Sequence, residues 1–287
     1  MNRKSTTKKS PIGKIIGFLI VVAVVISGFF VYNNFLAPLD KTSSTTSTTV
    51  VQGTTTVEAP KPSYTVSAEE KEYLANRFKP LTETNSETVA YVYAPGTQLD
   101  EPVVQTTDNA TYLDKTFDGG HQPYLGTVFM DADNKKDFSD RLTWLFGHAR
   151  GSKVGDHRMF NDVNYYDTQK YFDEHPYVVI ETPERKYYYE AVAMVIVPEN
   201  TAFYRTSFNN DQEFEEQLTA VYNEANVKKP NVTVSAKDKY LVLSTCREED
   251  ETIRANLYLR QIPDSEMKDF LAKHADQLTY VATRGQQ

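Results

Sequence analysis

The stretch from Lys239 to Arg254, K-Y-L-V-L-S-T-C-R-E-E-D-E-T-I-R, decides how the fold is read. Its apolar run, Tyr240 to Leu243, passes through Ser244 and Thr245 into Cys246, the only cysteine in 287 residues. A run of about four to eight apolar, β-branched or aromatic residues bounded by polar ones reads as a buried strand. Cys246 therefore stands at a strand's C-terminal end. Residues 247 to 251 are all charged, which suits an exposed turn. From Thr252 to Ile262 the pattern alternates again. Ile253, Ala255, Leu257 and Leu259 share one face, and Arg254, Asn256, Tyr258 and Arg260 share the other. If these strands form a hairpin, Arg254 lies across from Cys246 near the turn, whereas Arg260 is about 20 Å further along at strand rise. The expected guanidinium neighbour of the thiol is Arg254.

Moving outward, 40% hydrophobic and 24% charged residues are ordinary for a globular chain that can bury a core. The first fourteen residues carry Arg3, Lys4, Lys8, Lys9 and Lys14 without an acid, and residues 15–32 follow without a charge. That length suits a transmembrane helix better than a secretory signal, with Phe29, Phe30, Val31 and Tyr32 as an interfacial aromatic edge. The expected topology is a single-pass membrane protein, N-terminus cytoplasmic and the bulk extracellular. The net charge is −8, of which the stub contributes +5, so the remainder carries −13 and does not suit a nucleic acid partner. With one cysteine there is no internal disulfide, and stability must come from packing.

The expected organisation is a basic stub over 1–14, an anchor over 15–32, a Ser/Thr-rich flexible spacer over 33–66, a catalytic domain over 67–280 and a tail over 281–287. The domain opens with a short amphipathic helix from Ser67 to Phe78, capped by Ser67 with Glu70 three residues on. Short strands follow: Val89 to Tyr93, a Pro95-Gly96 turn, Val103 to Gln105, Gly126 to Met130, Asp140 to Gly147, Tyr177 to Glu181 and Tyr187 to Val197. Met159 to Tyr166 and Thr168 to Glu174 read as helical turns. The strongest helix runs from Asp211 to Asn226, with Phe214, Leu218, Val221 and Tyr222 on one face. A terminal helix is expected from Pro263 to Leu278, capped by Asp264 or Ser265. Short strands with regular turns give a mainly β barrel or sandwich.

A cysteine nucleophile needs a base or cation beside it, because the thiolate attacks and a free thiol has a pKa of about 8.5. On position alone Cys246 reads equally as a buried small hydrophobe. Of five histidines, His121, His157, His175 and His274 lie in loops or the terminal helix and read as surface residues. His148 alone follows an apolar strand directly. The acidic run Glu248 to Glu251 lacks the glycine-spaced loop of a cation site, so neither a metal nor a cofactor is expected.

Leu243-Ser244-Thr245-Cys246 with Arg254 eight residues on, F-G-H ending at His148, and P-V-V-Q-x-x-D-N-x-x-Y-L across Pro102 to Leu113 resemble a sortase, most closely of class B. The similarity runs from about Val89 to Ile262. It implies an eight-stranded sortase β-barrel with an N-terminal helical segment and an inserted helix near 211–226. It also implies a cysteine transpeptidase in which Cys246 attacks a C-terminal sorting signal, His148 serves as acid and base, and Arg254 holds the oxyanion or the substrate backbone. The implied partners are the sorting-signal peptide of a surface protein or pilin, a peptidoglycan or pilin amine, and the membrane. Ser244, Thr245 and Asn109 match substrate-binding positions. Phe146 stands where a tyrosine is common, Ala149 where an asparagine often follows, and Arg247 where an acidic or polar residue usually follows the cysteine. Alternatives are a thiol protease that lets water resolve the thioester, and a non-enzymatic surface ectodomain.

Overall fold

The computed structural model describes residues 64–149, 158–247 and 250–283. The stub 1–14, the span 15–32 and the spacer as far as residue 63 lie outside these residues, as do His157, Glu248, Glu249 and the tail from 284. The expectation of a single-pass membrane protein is corrected: among the described residues no helix is long and apolar enough to cross a membrane. The segment on which that expectation rested is not among them.

The cysteine strand and its partner form the antiparallel hairpin read from the sequence, β8 (Tyr240–Cys246) and β9 (Ile253–Gln261), with Cys246 opposite Arg254, Ser244 opposite Asn256 and Val242 opposite Tyr258. Around them stand β1 (Thr88–Tyr93), β2 (Asp100–Val104), β3 (Val128–Met130), β4 (Leu142–Phe146), β5 (Tyr177–Glu181), β6 (Lys186–Pro198) and the two-residue β7 (Val227–Lys228). The sheet order is β5-β1-β2-β3-β4-β8-β9-β6-β7, and β5 also pairs with β6. That last pairing closes eight strands into a mixed barrel and leaves β7 as an appendage on β6. Two contacts are parallel, β2 with β3 and β4 with β8.

Alternation sends Leu241, Leu243, Ala255, Leu257 and Leu259 into the barrel, all with no exposed surface. The outward face of the same strands is buried too. Trp144, Val242 and Tyr258 pack beneath α4 (Asp211–Glu224) through Phe214, Leu218 and Val221. Asn210 caps this helix by accepting from the Glu213 amide, which satisfies one of its free N–H groups.

Three other helices are labelled in chain order: α1 (Ala68–Thr84), α2 (Thr111–Asp114) and α3 (Gln169–Glu174). Ser67 caps α1 as expected, but the helix passes Phe78 and contains Pro80. It is fastened to the barrel by Arg77, which pairs with the fully buried Glu181 and lies between the rings of Tyr91 and Tyr280. The terminal helix α5 (Asp264–His274) has Pro263 at its cap position and no side-chain cap. Asp264 is drawn away by Arg185, whose guanidinium grips both its oxygens at 2.7 and 3.2 Å. The second strand begins at Asp100, three residues before its expected start, because Asp100 and Glu101 pair with Tyr93 and Val92.

Candidate active site

Three adjacent strands place the three residues in one row. β4 and β8 run parallel with Phe146 beside Ser244, and the Gly147 amide donates to the Ser244 carbonyl at 3.2 Å, carrying the pairing on toward His148 and Cys246. On the far side of β8 the antiparallel register sets Arg254 opposite Cys246. Directly opposed residues share a face, and so do alternate residues of one strand. His148, Cys246 and Arg254 therefore line one groove of about 310 Å³. Its wall includes Leu113, Phe129, Trp144, Phe146 and Tyr204.

Gly147 has a packing reason: a Cβ there would lie 2.9 Å from the Phe160 ring, so a larger residue would push that ring off the exit from β4. The Phe160 amide in turn donates to the His148 carbonyl at 2.9 Å. The His148 ring meets the Leu113 carbonyl through Nε2 at 2.8 Å. A carbonyl only accepts, so Nε2 carries a proton in this arrangement.

Arg254 is held from two sides. Nη2 meets Glu199 Oε2 at 2.7 Å and Nη1 donates to the Glu251 carbonyl at 2.5 Å. Glu199 follows β6, and its amide donates to the Thr252 carbonyl at 2.8 Å, which fixes the carboxylate beside the hairpin. Arg260, the other guanidinium on that face, is spent at the opposite end of β9 on Asp238 and Glu266.

The cysteine's own backbone is clamped. Asn164, in the 3-10 turn Asn161–Asp167, donates to the Cys246 carbonyl at 3.1 Å. Arg247 reaches the same turn, pairing with Asp167 at 2.9 Å. Its side chain is only 15% exposed, so Arg247 does not belong to the solvated turn expected from its charge.

Ser244 lies in the groove beside Cys246. Thr245 alternates to the opposite face, with Ala255 as its neighbour and its hydroxyl buried. Asn109 lines the groove, and its carboxamide is committed to the protein. Oδ1 accepts from the Ala132 amide at 2.8 Å, and Nδ2 donates to Asp131 at 3.0 Å and contacts the Tyr204 hydroxyl at 3.4 Å. Tyr204 also donates to the fully buried Asp131. Burial, then the Asp131 carboxylate, pushes the Tyr204 hydroxyl well above the ordinary tyrosine range, so it remains a donor. Its ring stands edge-on to Trp144 and Phe146 as a groove wall.

No family model matches the chain. The chain is 29% identical over 178 residues to Sortase B of Staphylococcus aureus, covering 62% of this chain and 70% of that protein. Among solved structures, the S. aureus sortase B-substrate complex superposes with a TM-score of 0.60 at 26% identity, covering 68% of this chain and 92% of that one. A sortase B complexed with triglycine gives 0.59 at 27% identity, covering 68% and 93%.

In sequence and in fold the chain resembles class B sortases. It is a cysteine transpeptidase, and its single cysteine fits that chemistry. Phe146, at the position where tyrosine is common in that family, stacks on Trp144, packs at a tilt against Phe129 and makes the groove wall more apolar. Among the described residues no cluster of His, Cys, Asp and Glu could hold a metal ion. The sequence reading did not find Glu199, Tyr204, Asn164, Asp167 or Asn256. All but Asn256 sit in loops or a short turn with no periodic signal.

Proposed function

We propose that Cys246 is the nucleophile, His148 the general acid and base, and Arg254 the cation that stabilises the oxyanion. The single observation that supports this is the row across β4, β8 and β9, with His148 and Arg254 flanking Cys246 in one groove. The substrate is the C-terminal sorting peptide of a surface protein. The Cys246 thiolate adds to the carbonyl of the scissile amide while Arg254 hydrogen bonds the developing oxyanion. His148 delivers a proton to the departing amine, which leaves a thioester. A primary amine then enters, His148 takes its proton, the new amide forms and Cys246 is released.

Among primary amines, a glycine-type cell-wall amine is favoured over a pilin lysine, because a related sortase B has been solved with triglycine. The aromatic wall and Ser244 bind the extended peptide, Asn109 supports that wall through Tyr204, and Thr245 contributes through its backbone. Residues 67–280 act as the catalytic unit.

The test is incubation of the full chain with a library of five-residue sorting peptides, with and without triglycine, read by mass spectrometry. A triglycine-linked product that disappears in Cys246→Ala is the expected result. Cleavage without an amine-dependent product would instead mark a thiol protease. A Cys246 that no substrate-like electrophile labels would mark a non-enzymatic ectodomain.

A further inference from the structure

Glu101 stands on β2 opposite Val92 of β1, with only 3% of its surface exposed. A carboxylate this deep in a barrel needs donors, and one of them comes from far along the chain. The Met159 amide donates to Glu101 Oε1 at 2.6 Å. Met159 has a φ of 62°, in the left-handed region that favours glycine. A glycine would relieve that backbone, but the Met159 side chain is buried in the same core cluster as Leu145 and Phe160. The position therefore keeps its side chain and its strain, and a strained residue persists only where its surroundings over-determine it. The Glu101 carboxylate is one of those surroundings.

Met159 precedes Phe160, and Phe160 joins the two halves of the site. Its amide donates to the His148 carbonyl at 2.9 Å, and its ring lies against Gly147. Its carbonyl accepts from the Val163 amide at 3.0 Å and so opens the 3-10 turn whose Asn164 donates to the Cys246 carbonyl at 3.1 Å. The backbones that carry the imidazole and the sulfur are thus both tied to one short segment. A second tie runs the other way: Asp162, 5% exposed, accepts from the Gln98 amide at 2.7 Å. Asp162 holds the turn to the β1–β2 loop, and Glu101 holds the peptide that leads into it.

We propose that Glu101 is a positioning residue for the acid–base step: through the Met159 amide it fixes Phe160, and through Phe160 the backbone from which the His148 ring reaches toward Cys246. The assignment rests on the acyl-transfer reading above. Glu101 lies outside the groove lining, so it acts on the reaction only through the segment it holds. One imidazole must deliver a proton to the departing amine and later take one from the incoming amine, which makes its placement critical. A displacement of about 1 Å at such a group costs on the order of 10²-fold in rate. Removing the acceptor leaves a buried N–H without a partner in an already strained backbone, and the segment relaxes away from its place to recover one.

The experiment offers the sorting-peptide library with triglycine to the full chain and takes kinetics on the peptide it converts best. Glu101→Met fills the same space without an acceptor, and Glu101→Gln keeps an acceptor at the same reach without the charge. Glu101→Met should lower kcat on the order of 10²-fold. KM for the peptide should stay within about threefold of wild type, because the groove walls are untouched. Glu101→Gln should recover kcat to within about fivefold of wild type. The His148 ring resonances, assigned by comparison with His148→Gln, should move in Glu101→Met and return toward their wild-type positions in Glu101→Gln. Should Glu101→Met fail to fold, Glu101→Asp carries the test, since it keeps the charge and withdraws the acceptor by one methylene. It should lose kcat while KM holds.

A folded Glu101→Met variant with wild-type kcat and unmoved His148 resonances would overturn the assignment. Equal losses of kcat in the Met and Gln variants, with the His148 resonances unmoved, would overturn it too and leave Glu101 a structural residue. Wild-type chain that forms no triglycine-linked product would overturn the acyl-transfer reading itself, and this assignment with it.

Discussion

Glu199 Oε2 lies 2.7 Å from Nη2 of Arg254, so the guanidinium that faces Cys246 across the hairpin is steered by a carboxylate from the loop after β6. Glu199 is 53% exposed, and such pairs contribute about 0–1 kcal/mol to stability. Its value is orientational. A long side chain with several rotamers is fixed beside the thiol before substrate arrives, which removes part of the ordering cost from the reaction. Glu199→Gln should leave unfolding free energy within about 1 kcal/mol of wild type. It should lower kcat by about tenfold, equivalent to about 1.4 kcal/mol of barrier, with a smaller change in KM. Steady-state kinetics beside denaturant unfolding measure both. An unaltered kcat would mean that the Glu251 carbonyl and the strand suffice to aim Arg254.

Arg247 and Asp167 connect the cysteine strand to the turn that also holds the Cys246 carbonyl through Asn164. The pair is partly buried, at 15% and 29% exposure, so it should couple more strongly than a surface ion pair. A double-mutant cycle with Arg247→Met and Asp167→Asn is expected to return about 1 kcal/mol or slightly more of coupling in stability. Asn164→Ala should lower turnover more than it lowers stability, since it releases the backbone beneath the sulfur. A coupling near zero would assign Arg247 to its other contacts.

The hairpin was legible because period-two alternation and a charged turn are local signals, and together they placed Arg254 opposite Cys246. Helix α4 was legible for the same reason, its apolar stripe recurring every three to four residues. The pairing of β4 with β8 was not, because parallel neighbours are joined by a long crossover and carry no local record of their register. His148 could be singled out only by following an apolar strand, and the family resemblance supplied its role. Glu199 and Tyr204 sit in a loop whose course depends on packing against the finished barrel. Asn256 falls on the strand face that carries Arg254 and Arg260. Only the packing over the finished sheet makes that position a buried one.

Helix α4 covers the outward face of β4, β8 and β9, and Phe214 in its first turn has no exposed surface. Phe214→Ala should cost about 3–5 kcal/mol of unfolding free energy, the range for removing a buried aromatic ring and leaving a cavity. Asn210→Ala, which removes only the cap, should cost about 1 kcal/mol. Chemical denaturation of the two variants checks the order. Equal losses would mean that the helix is held by its termini and not by its packed face.

Tyr188 and Tyr240 are two of the buried tyrosines that make the fold less stable in alkali. Burial, first, pushes both hydroxyls up to about 12, with the Glu70 and Glu181 carboxylates adding to the effect at Tyr188 and Asp238 adding to it at Tyr240. In the unfolded chain a tyrosine ionises near 10. Between about 10 and about 12 the folded chain therefore keeps protons that the unfolded chain has lost, so stability falls as pH rises. The contribution is fully present below about 10 and is gone once the pH passes about 12. Tyr240→Phe should flatten part of that decline. It should also cost about 1 kcal/mol at neutral pH, because the Ser235 amide loses its acceptor at 3.1 Å. Denaturant unfolding at a series of pH values from 8 to about 12 reads both effects, with tyrosinate absorbance as the direct titration. A decline that begins well below 10, or one that Tyr240→Phe leaves unchanged, would assign the alkaline decline to other groups.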